Sequence, residues 1–165
     1  MSGTLYVGSD DHNLHALNAP DGSSLWHQST GNKVISSPSV VNGIVYVGGL
    51  DHSIYAFKTS DHSLLWKYPT NGPVSSSPTV VKGILYIGST NNVLCALKAT
   101  NGSLIWNYTT GGQIVSSPTV IDGIVYFGSN DGNVYALWFN DATLLWSYST
   151  NGTVESSPAV VLGSY

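Results

Sequence analysis

Short apolar runs alternate with turn residues along the whole chain. Runs such as "ILYIG", "VLCALK" and "SLIWNY" are rich in Val, Ile, Leu and Tyr, and Gly, Asn, Asp or Ser bound them. This combination is typical of strands joined by tight turns. No useful length of sequence keeps the period of about 3.6 residues that marks an amphipathic helix. The pattern predicts an all-β protein.

The runs recur with a period of 40 residues and no insertion. A tryptophan, an alanine, a proline and a tyrosine mark the register in all four copies. They are Trp26, Trp66, Trp106 and Trp146; Ala16, Ala56, Ala96 and Ala136; Pro38, Pro78, Pro118 and Pro158; and Tyr6, Tyr46, Tyr86 and Tyr126. Four-stranded units repeated at about 40 residues are typical of β-propellers. We predict a propeller domain over residues 4–163, built from four-stranded antiparallel blades.

The strands of one repeat can be lettered A to D, as in "VSSSPTVV", "ILYIG", "VLCALK" and "SLIWNY". The chain opens in a strand B, "TLYVG", and closes after a strand A, "VESSPAVV". It therefore contains strands B, C and D of a first blade, three full blades and a terminal strand A. Unpaired edges favour closure, so we expect an eight-bladed ring in which two chains exchange terminal strands. The alternative is a closed four-bladed monomer.

Two kinds of turn have residues that suit particular backbone conformations. Gly43, Gly83 and Gly123 lie between strands A and B, where a two-residue hairpin needs a positive φ. Asp21, Asp61, Asn101 and Asp141 begin the turns between strands C and D, and their side chains can accept a hydrogen bond from the backbone two residues on. The next residue is expected in the left-handed region, which Ala142 suits poorly. We expect the fourth of these turns to differ in shape or to be strained.

The spacing in "ALNAPDGSSLW" and "ALKATNGSLIW", followed by "VxSSPxV" and "GxVYVGS", resembles the PQQ-like β-propeller family, whose members are similar to quinoprotein alcohol dehydrogenases. The resemblance implies larger rings and a parent protein outside the cytoplasm. It also implies that the four repeated tryptophans dock between adjacent blades, on a seat shaped by the repeated alanine and the turn glycine. The acid that commonly follows two residues after the alanine is replaced here, by Asn18, Lys58, Lys98 and Trp138.

Composition argues against several functions. The formal charge is −4 and all five basic residues are lysines, so the basic stripe of a nucleic-acid-binding protein is missing. Members of the resembled family that bind the quinone use an arginine, a calcium-coordinating set and often a cysteine pair. This chain has no arginine, only Cys95 and only Glu155. We predict no cofactor and no enzymatic activity.

No other group of residues predicts chemistry. The serines of the "SSP" motifs lack a positioned histidine and are expected to line a polar axial channel. His12 and His52, beside Asp11 and Asp51, could form a surface metal site, but we interpret them as solvated turn residues. We assign no catalytic, cofactor-binding or metal-binding residue. Trp138 and Phe139 break the repeat, as either a contact patch or a packing substitution.

The sequence therefore favours a non-enzymatic propeller scaffold or protein-interaction module, taken from a longer repeat protein. Small-ligand or carbohydrate binding at the axial channel is the alternative, and a quinone-dependent dehydrogenase is the least favoured. The expected partners are a second copy of the chain and an unidentified protein, without nucleic acid. We expect no membrane insertion, because no run approaches about 18 apolar residues. The start of the chain lacks a secretory signal, and the compartment stays open.

Overall fold

A computed structural model describes residues 3–161 and residue 163. Blade 1 contains β1 (Thr4–Gly8), β2 (Asn13–Asn18) and β3 (Ser24–Ser29). Blade 2 contains β4 (Ser39–Val41), β5 (Ile44–Gly49), β6 (Ser53–Lys58) and β7 (Leu64–Pro69). Blade 3 contains β8 (Thr79–Val81), β9 (Ile84–Gly88), β10 (Val93–Lys98) and β11 (Leu104–Thr109). Blade 4 contains β12 (Thr119–Ile121), β13 (Ile124–Gly128), β14 (Asn133–Trp138) and β15 (Leu144–Ser149).

Each blade is an antiparallel sheet whose strands follow chain order, and this confirms the prediction of an all-β propeller fold. The register repeats with the sequence. Tyr46 lies opposite Ala56, and Ala56 lies opposite Trp66, so one row of residues crosses three strands. A bulge follows this row in every blade, between Ala56 and Phe57 in blade 2. In the part of the chain that the structure describes, no helix is long and apolar enough to cross a bilayer.

The turns adopt the conformations that their residues favour. Asn42 and Gly43 have φ values of 50° and 75°, and the two equivalent turns match them, as a tight hairpin requires. In the turns from strand C to strand D, the Asp141 carboxylate accepts the Thr143 N–H at 2.9 Å, and the three equivalent turns contain the same bond. Ala142 has a φ of 61°. The fourth turn therefore keeps the common shape, and its alanine carries the strain.

The core of the molecule lies between the blades. One apolar cluster packs between blades 1 and 2, a second between blades 2 and 3, and a third between blades 3 and 4. The blades approach closely on strand B, where a Cβ added to Gly48 would lie 2.3 Å from Cγ1 of Val74 in the next blade. A glycine is required there because any side chain would separate the two sheets.

The four blades form an open array. Among the described residues, β1 pairs with β2 and with no second strand, and residues 158–161 form no strand. The alternative of a closed four-bladed monomer is therefore wrong for this structure. The expected terminal strand A is also not a strand within the single chain, since a strand needs a neighbour to pair with and the strand B that it needs lies in blade 1.

Candidate interaction surface

The interior interfaces contain a repeated docking arrangement for the tryptophan of strand D. Trp66 donates its Nε1–H to the Ala99 carbonyl in the next blade at 2.9 Å, and the Tyr46 hydroxyl donates to the same carbonyl at 3.2 Å. A Cβ on Gly102 would lie 2.7 Å from the Trp66 ring. The indole therefore lies against a backbone that only glycine can bring so close.

The next interface repeats the two hydrogen bonds with Ala142 in place of the turn glycine, and the first interface differs from both. Trp106 and Tyr86 both donate to the Phe139 carbonyl, at 2.9 and 3.1 Å. Trp26 stacks instead on His62, with ring centroids 4.7 Å apart and planes at 29°. His62 has a φ of 64°, so a histidine in the left-handed turn takes the place of the glycine seat.

The serines of the inner strands connect backbones. The Ser36 hydroxyl accepts the Gly48 N–H at 2.8 Å and donates to the Gly48 carbonyl at 3.0 Å, and the side chain is buried. The second serine joins neighbouring blades, because the Ser37 N–H donates to the Ser77 hydroxyl at 2.9 Å. The expectation that both serines line an axial channel is therefore wrong for the first serine of the motif, which lies inside its blade.

Both ends of the array expose the groups that the interior interfaces cover. On blade 4, Trp146 is 46% exposed and Tyr148 is 66% exposed, whereas Trp66 and Trp106 are each 8% exposed. On blade 1, Leu5 is 52% exposed and Val7 is also exposed, although the equivalent residues of the other blades are buried. We call Leu5 and Val7 the N-terminal face, and Trp146 and Tyr148 the C-terminal face.

The last described segment, residues 154–161, lies on the C-terminal side of blade 4. The Val154 N–H donates to the Ser129 carbonyl at 3.1 Å, and the Ser117 N–H donates to the Ser157 hydroxyl at 3.0 Å. These contacts repeat those of each inner strand with the preceding blade, such as the bond from Ile114 N–H to the Ser89 carbonyl at 3.2 Å. The segment therefore occupies the position of the innermost strand of a fifth blade.

The two histidines considered as metal ligands, His12 and His52, lie in turns. His12 and His52 have φ values of 71° and 64°, so each closes a turn between strands B and C. Across residues 3–161, no group of three or more His, Cys, Asp or Glu side chains is placed to hold a metal ion. The nearby Asp11 carboxylate bonds His15 Nε2 at 2.8 Å. Burial raises the pKa of Asp11, but hydrogen bonds led by the one from His15 outweigh it and lower the pKa to about 2.

Sequence reasoning missed a network of polar side chains on the turns between strands B and C. The Tyr55 hydroxyl donates to the Asp51 carboxylate, which Lys67 Nζ also reaches at 3.2 Å. In blade 4 the Tyr135 hydroxyl donates to Asp131 at 2.7 Å. Burial and then this bond raise the pKa of Tyr135 to about 12. An aspartate four residues before a tyrosine is the signal that could have revealed the pair.

The aromatic pair that breaks the repeat divides between two roles. Phe139 packs into the cluster between blades 3 and 4, and Trp138 stays 44% exposed. Grooves near the turns between strands A and B are small. The one lined by Val41, Tyr46 and Val80 has a volume of about 210 Å³, below the roughly 300 Å³ at which small-molecule pockets begin.

The residues of this chain do not fit a quinone cofactor. A site of the kind used by the resembled dehydrogenases needs an arginine and a calcium-coordinating set, and the sequence has no arginine and one glutamate. Glu155 is exposed on the segment of residues 154–161. Burial raises the pKa of the Cys95 thiol to about 11, so this side chain behaves as a small apolar group.

Comparison with known proteins identifies the repeat. A family model described as outer membrane protein assembly factor BamB matches residues 1–76 and 51–164. No curated protein matches the chain significantly. Among the solved structures that are similar to it, three match more than nine-tenths of its length at 15–18% identity.

The crystal structure of BamB from Moraxella catarrhalis superposes with a TM-score of 0.84 at 17% identity, over 94% of this chain and 51% of that one. The computationally designed Ika8 protein gives 0.84 at 15% identity, over 93% and 48%. The quinohemoprotein alcohol dehydrogenase ADHIIG from Pseudomonas putida HK5 gives 0.82 at 18% identity, over 91% and 33%. The chain thus spans about half the length of the first two.

Proposed function

The chain belongs to the PQQ-like repeat family described as outer membrane protein assembly factor BamB, and on this premise we propose that it is a non-enzymatic propeller scaffold that binds other protein surfaces. The family description names an assembly factor, and we extend only that general role to this chain. Because the chain spans about half of the BamB structure, the partners of that protein are not assigned to it.

One observation supports this proposal above the others. The N-terminal face exposes residues whose equivalents are buried at all three interior interfaces, and on the C-terminal face Trp146 is 46% exposed against 8% for Trp66 and Trp106. An apolar surface rimmed by polar turns is typical of a protein contact site. Tryptophan is also among the residues that contribute most to binding energy at protein interfaces.

The use of the polar groups supports a role without catalysis. Ser76 bonds to both backbone groups of Gly88, and Thr110 bonds to the Asn92 and Gly112 carbonyls. Equivalent serines and threonines make equivalent bonds in the neighbouring blades. A catalytic residue needs a reactive partner side chain within hydrogen-bond distance. These serines and threonines instead recur in each blade and hydrogen-bond to the backbone.

The experiment is a thermal-shift series with a dye-reduction assay. The chain is incubated with pyrroloquinoline quinone and calcium, with calcium alone, and with a panel of mono- and disaccharides. We expect no shift of Tm beyond about 1 °C and no alcohol-dependent reduction of the dye. A saturable shift of several degrees, or turnover that needs the quinone, would overturn the proposal.

The protein-binding part of the proposal has its own control. Any association of the chain with protein must be lost in Leu5→Lys or Trp146→Ala and kept in Leu64→Lys, because Leu64 is as exposed as Leu5 but lies on the outer strand of an interior blade. Association that survives all three substitutions would exclude the end faces as the binding surface.

A further inference from the structure

The two ends of the array complement each other. Among the described residues, blade 1 has strands B, C and D without an innermost strand, whereas the segment of residues 154–161 occupies an innermost-strand position without strands B, C and D beside it. Building on the proposed function, we propose that the partner of both end faces is a second copy of this chain. The two copies exchange their terminal segments and close an eight-bladed ring with twofold symmetry.

The repeat fixes the register of the exchanged strand. Strands A and B pair Ser39 with Tyr46 in blade 2, and a shift of 40 residues gives the pair Thr79 and Tyr86, then Thr119 and Tyr126. One further shift places Ala159 opposite the partner's Tyr6. By the same rule Val160 lies opposite the partner's Leu5.

The repeat also fixes what covers the C-terminal face. Trp66 donates to the Ala99 carbonyl and Trp106 to the Phe139 carbonyl, so the acceptor for Trp146 is the carbonyl of the partner's Ala19. The seat beneath the indole is then the partner's Gly22. Within one chain Gly22 has a φ of 72°, as Gly102 does beneath Trp66, but no atom lies within 4 Å of the position of its Cβ.

The exchanged segment is already held in place by blade 4. Cγ1 of Val154 lies 2.3 Å from the position that a Cβ on Gly128 would take, as Val74 does with Gly48. Thr119 donates its hydroxyl to the Pro158 carbonyl, as Thr79 does to Pro118. At the other end of the segment Val161 is 91% exposed. Within residues 3–161, the segment therefore has an unpaired edge with which a strand B could form backbone hydrogen bonds.

Two copies satisfy the geometry better than one or three. A contact between the C-terminal face of one chain and the N-terminal face of the next closes a ring only when the rotation between blades allows it. The array superposes with a TM-score of 0.84 on about half of each of two longer chains, so its curvature is that of a longer array. Propellers contain typically about 4 to 8 blades; two copies give eight, and three would exceed that range.

The first measurement is solution mass by light scattering on a size-exclusion column. We expect twice the chain mass of 17.5 kDa for the unchanged protein and for Leu64→Lys. Leu5→Lys buries an unpaired charge in the proposed interface and should weaken association about 100-fold or more. Leu5 and Leu64 are 52% and 51% exposed in the single chain, so the two variants are matched for folding. Val161→Lys provides a second disrupting variant at a more exposed position.

The second measurement tests the register and the exchange. In the variant Leu5→Cys/Val160→Cys, oxidation should give a covalent dimer on a non-reducing gel, because facing residues of antiparallel strands lie about 4.5–5.5 Å apart at Cα. Cys95 is buried and does not compete. The control variant Leu64→Cys/Val160→Cys should form no covalent dimer and should run at the mass of one chain on the same gel.

Any other result overturns the proposed eight-bladed dimer. The results also show whether the proposed scaffold function fails together with the dimer. A disulfide within a monomer means that one chain closes on itself. Larger rings or filaments that Leu5→Lys abolishes overturn closure at eight blades but leave the end faces as protein-binding surfaces. A monomer without any disulfide excludes the second copy as partner, while the ligand assays above still decide the scaffold role.

Discussion

Trp106 and Trp146 occupy the same position of the same strand in neighbouring blades, yet one is 8% exposed and the other 46% exposed. Both stand beside a repeated tyrosine, with ring centroids 5.7 Å apart for Tyr86 and Trp106 and 6.0 Å apart for Tyr126 and Trp146. The repeat thus builds the same docking group in each blade. Only Trp106 has a following blade whose carbonyl and turn complete the site.

The glycines of the turns after strand D show the same contrast. A Cβ on Gly112 would lie 2.3 Å from the Asp131 nitrogen, whereas a Cβ on Gly152 would have no atom within 4 Å. The interior and end positions therefore differ in what lies across the interface, with little difference in local conformation. In such an array the stability is expected to be close to a sum of blade terms and nearest-neighbour interface terms.

The largest expected difference is between the contributions of Trp106 and Trp146 to stability. Each tryptophan is replaced separately in a Leu5→Lys background, which keeps the end faces uncovered. Trp106→Ala should lower the free energy of unfolding by about 3–5 kcal/mol, because it leaves a cavity between the blades and removes one of the two hydrogen bonds to the Phe139 carbonyl. Trp146→Ala should lower it by less than about 1 kcal/mol. Urea titration followed by circular dichroism measures both. Equal losses would mean that Trp146 already contributes within the single chain.

The glycines give a second, smaller contrast. Gly112→Ala should destabilise the chain by about 1–3 kcal/mol, since the new methyl group meets backbone that cannot move aside. Gly152→Ala should leave the stability of the single chain unchanged. In the proposed dimer the same substitution meets the partner's Asp11, so it should weaken association. Thermal unfolding of the single chain and the solution mass at low concentration test the two effects.

The buried Tyr86 should make the stability of the chain depend on pH at high pH. Burial raises the pKa of Tyr86 to about 12, from a usual value near 10, so the unfolded chain ionises first. The stability that this group contributes is complete below pH 10 and is lost as the pH rises towards 12. The unchanged chain should lose about 1 kcal/mol more between pH 9 and pH 11 than Tyr86→Phe does. Urea titrations at the two pH values compare the unchanged chain with Tyr86→Phe, and an unchanged pH dependence in Tyr86→Phe would contradict the assignment.

The smallest effect concerns the left-handed turns. Ala142→Gly should stabilise the chain by about 0.5–1 kcal/mol, because φ is 61° and glycine removes the strain. In the Leu5→Lys background, where blade 1 stays uncovered, Gly22→Ala should destabilise the chain by a similar amount, since no contact adds to the backbone cost. Paired thermal melts compare the two, and a destabilised Ala142→Gly would show that the methyl contact in the cluster outweighs the strain.

Much of the fold could be predicted from local features of the sequence. The 40-residue period predicts the blades, Gly43 and its equivalents predict the hairpins, and Asp141 predicts the turn that it forms. The candidate interaction surface was harder to predict from the sequence. The serine motif does not reveal that Ser36 is buried and Ser37 bridges two blades, because both have the same local environment along the chain.

The sequence by itself determined the strands and the turns, because those depend on residues close along the chain and recur with each copy, whereas the docking role of the tryptophans was implied only by the family resemblance. Only the tertiary structure decided that Trp106 is covered and Trp146 is not, that the network of Asp51, Tyr55 and Lys67 exists, and that the array stays open. The physical reason is that burial and closure depend on the rotation from one blade to the next. That rotation is set by side chains about 40 residues apart, and no single repeat contains it.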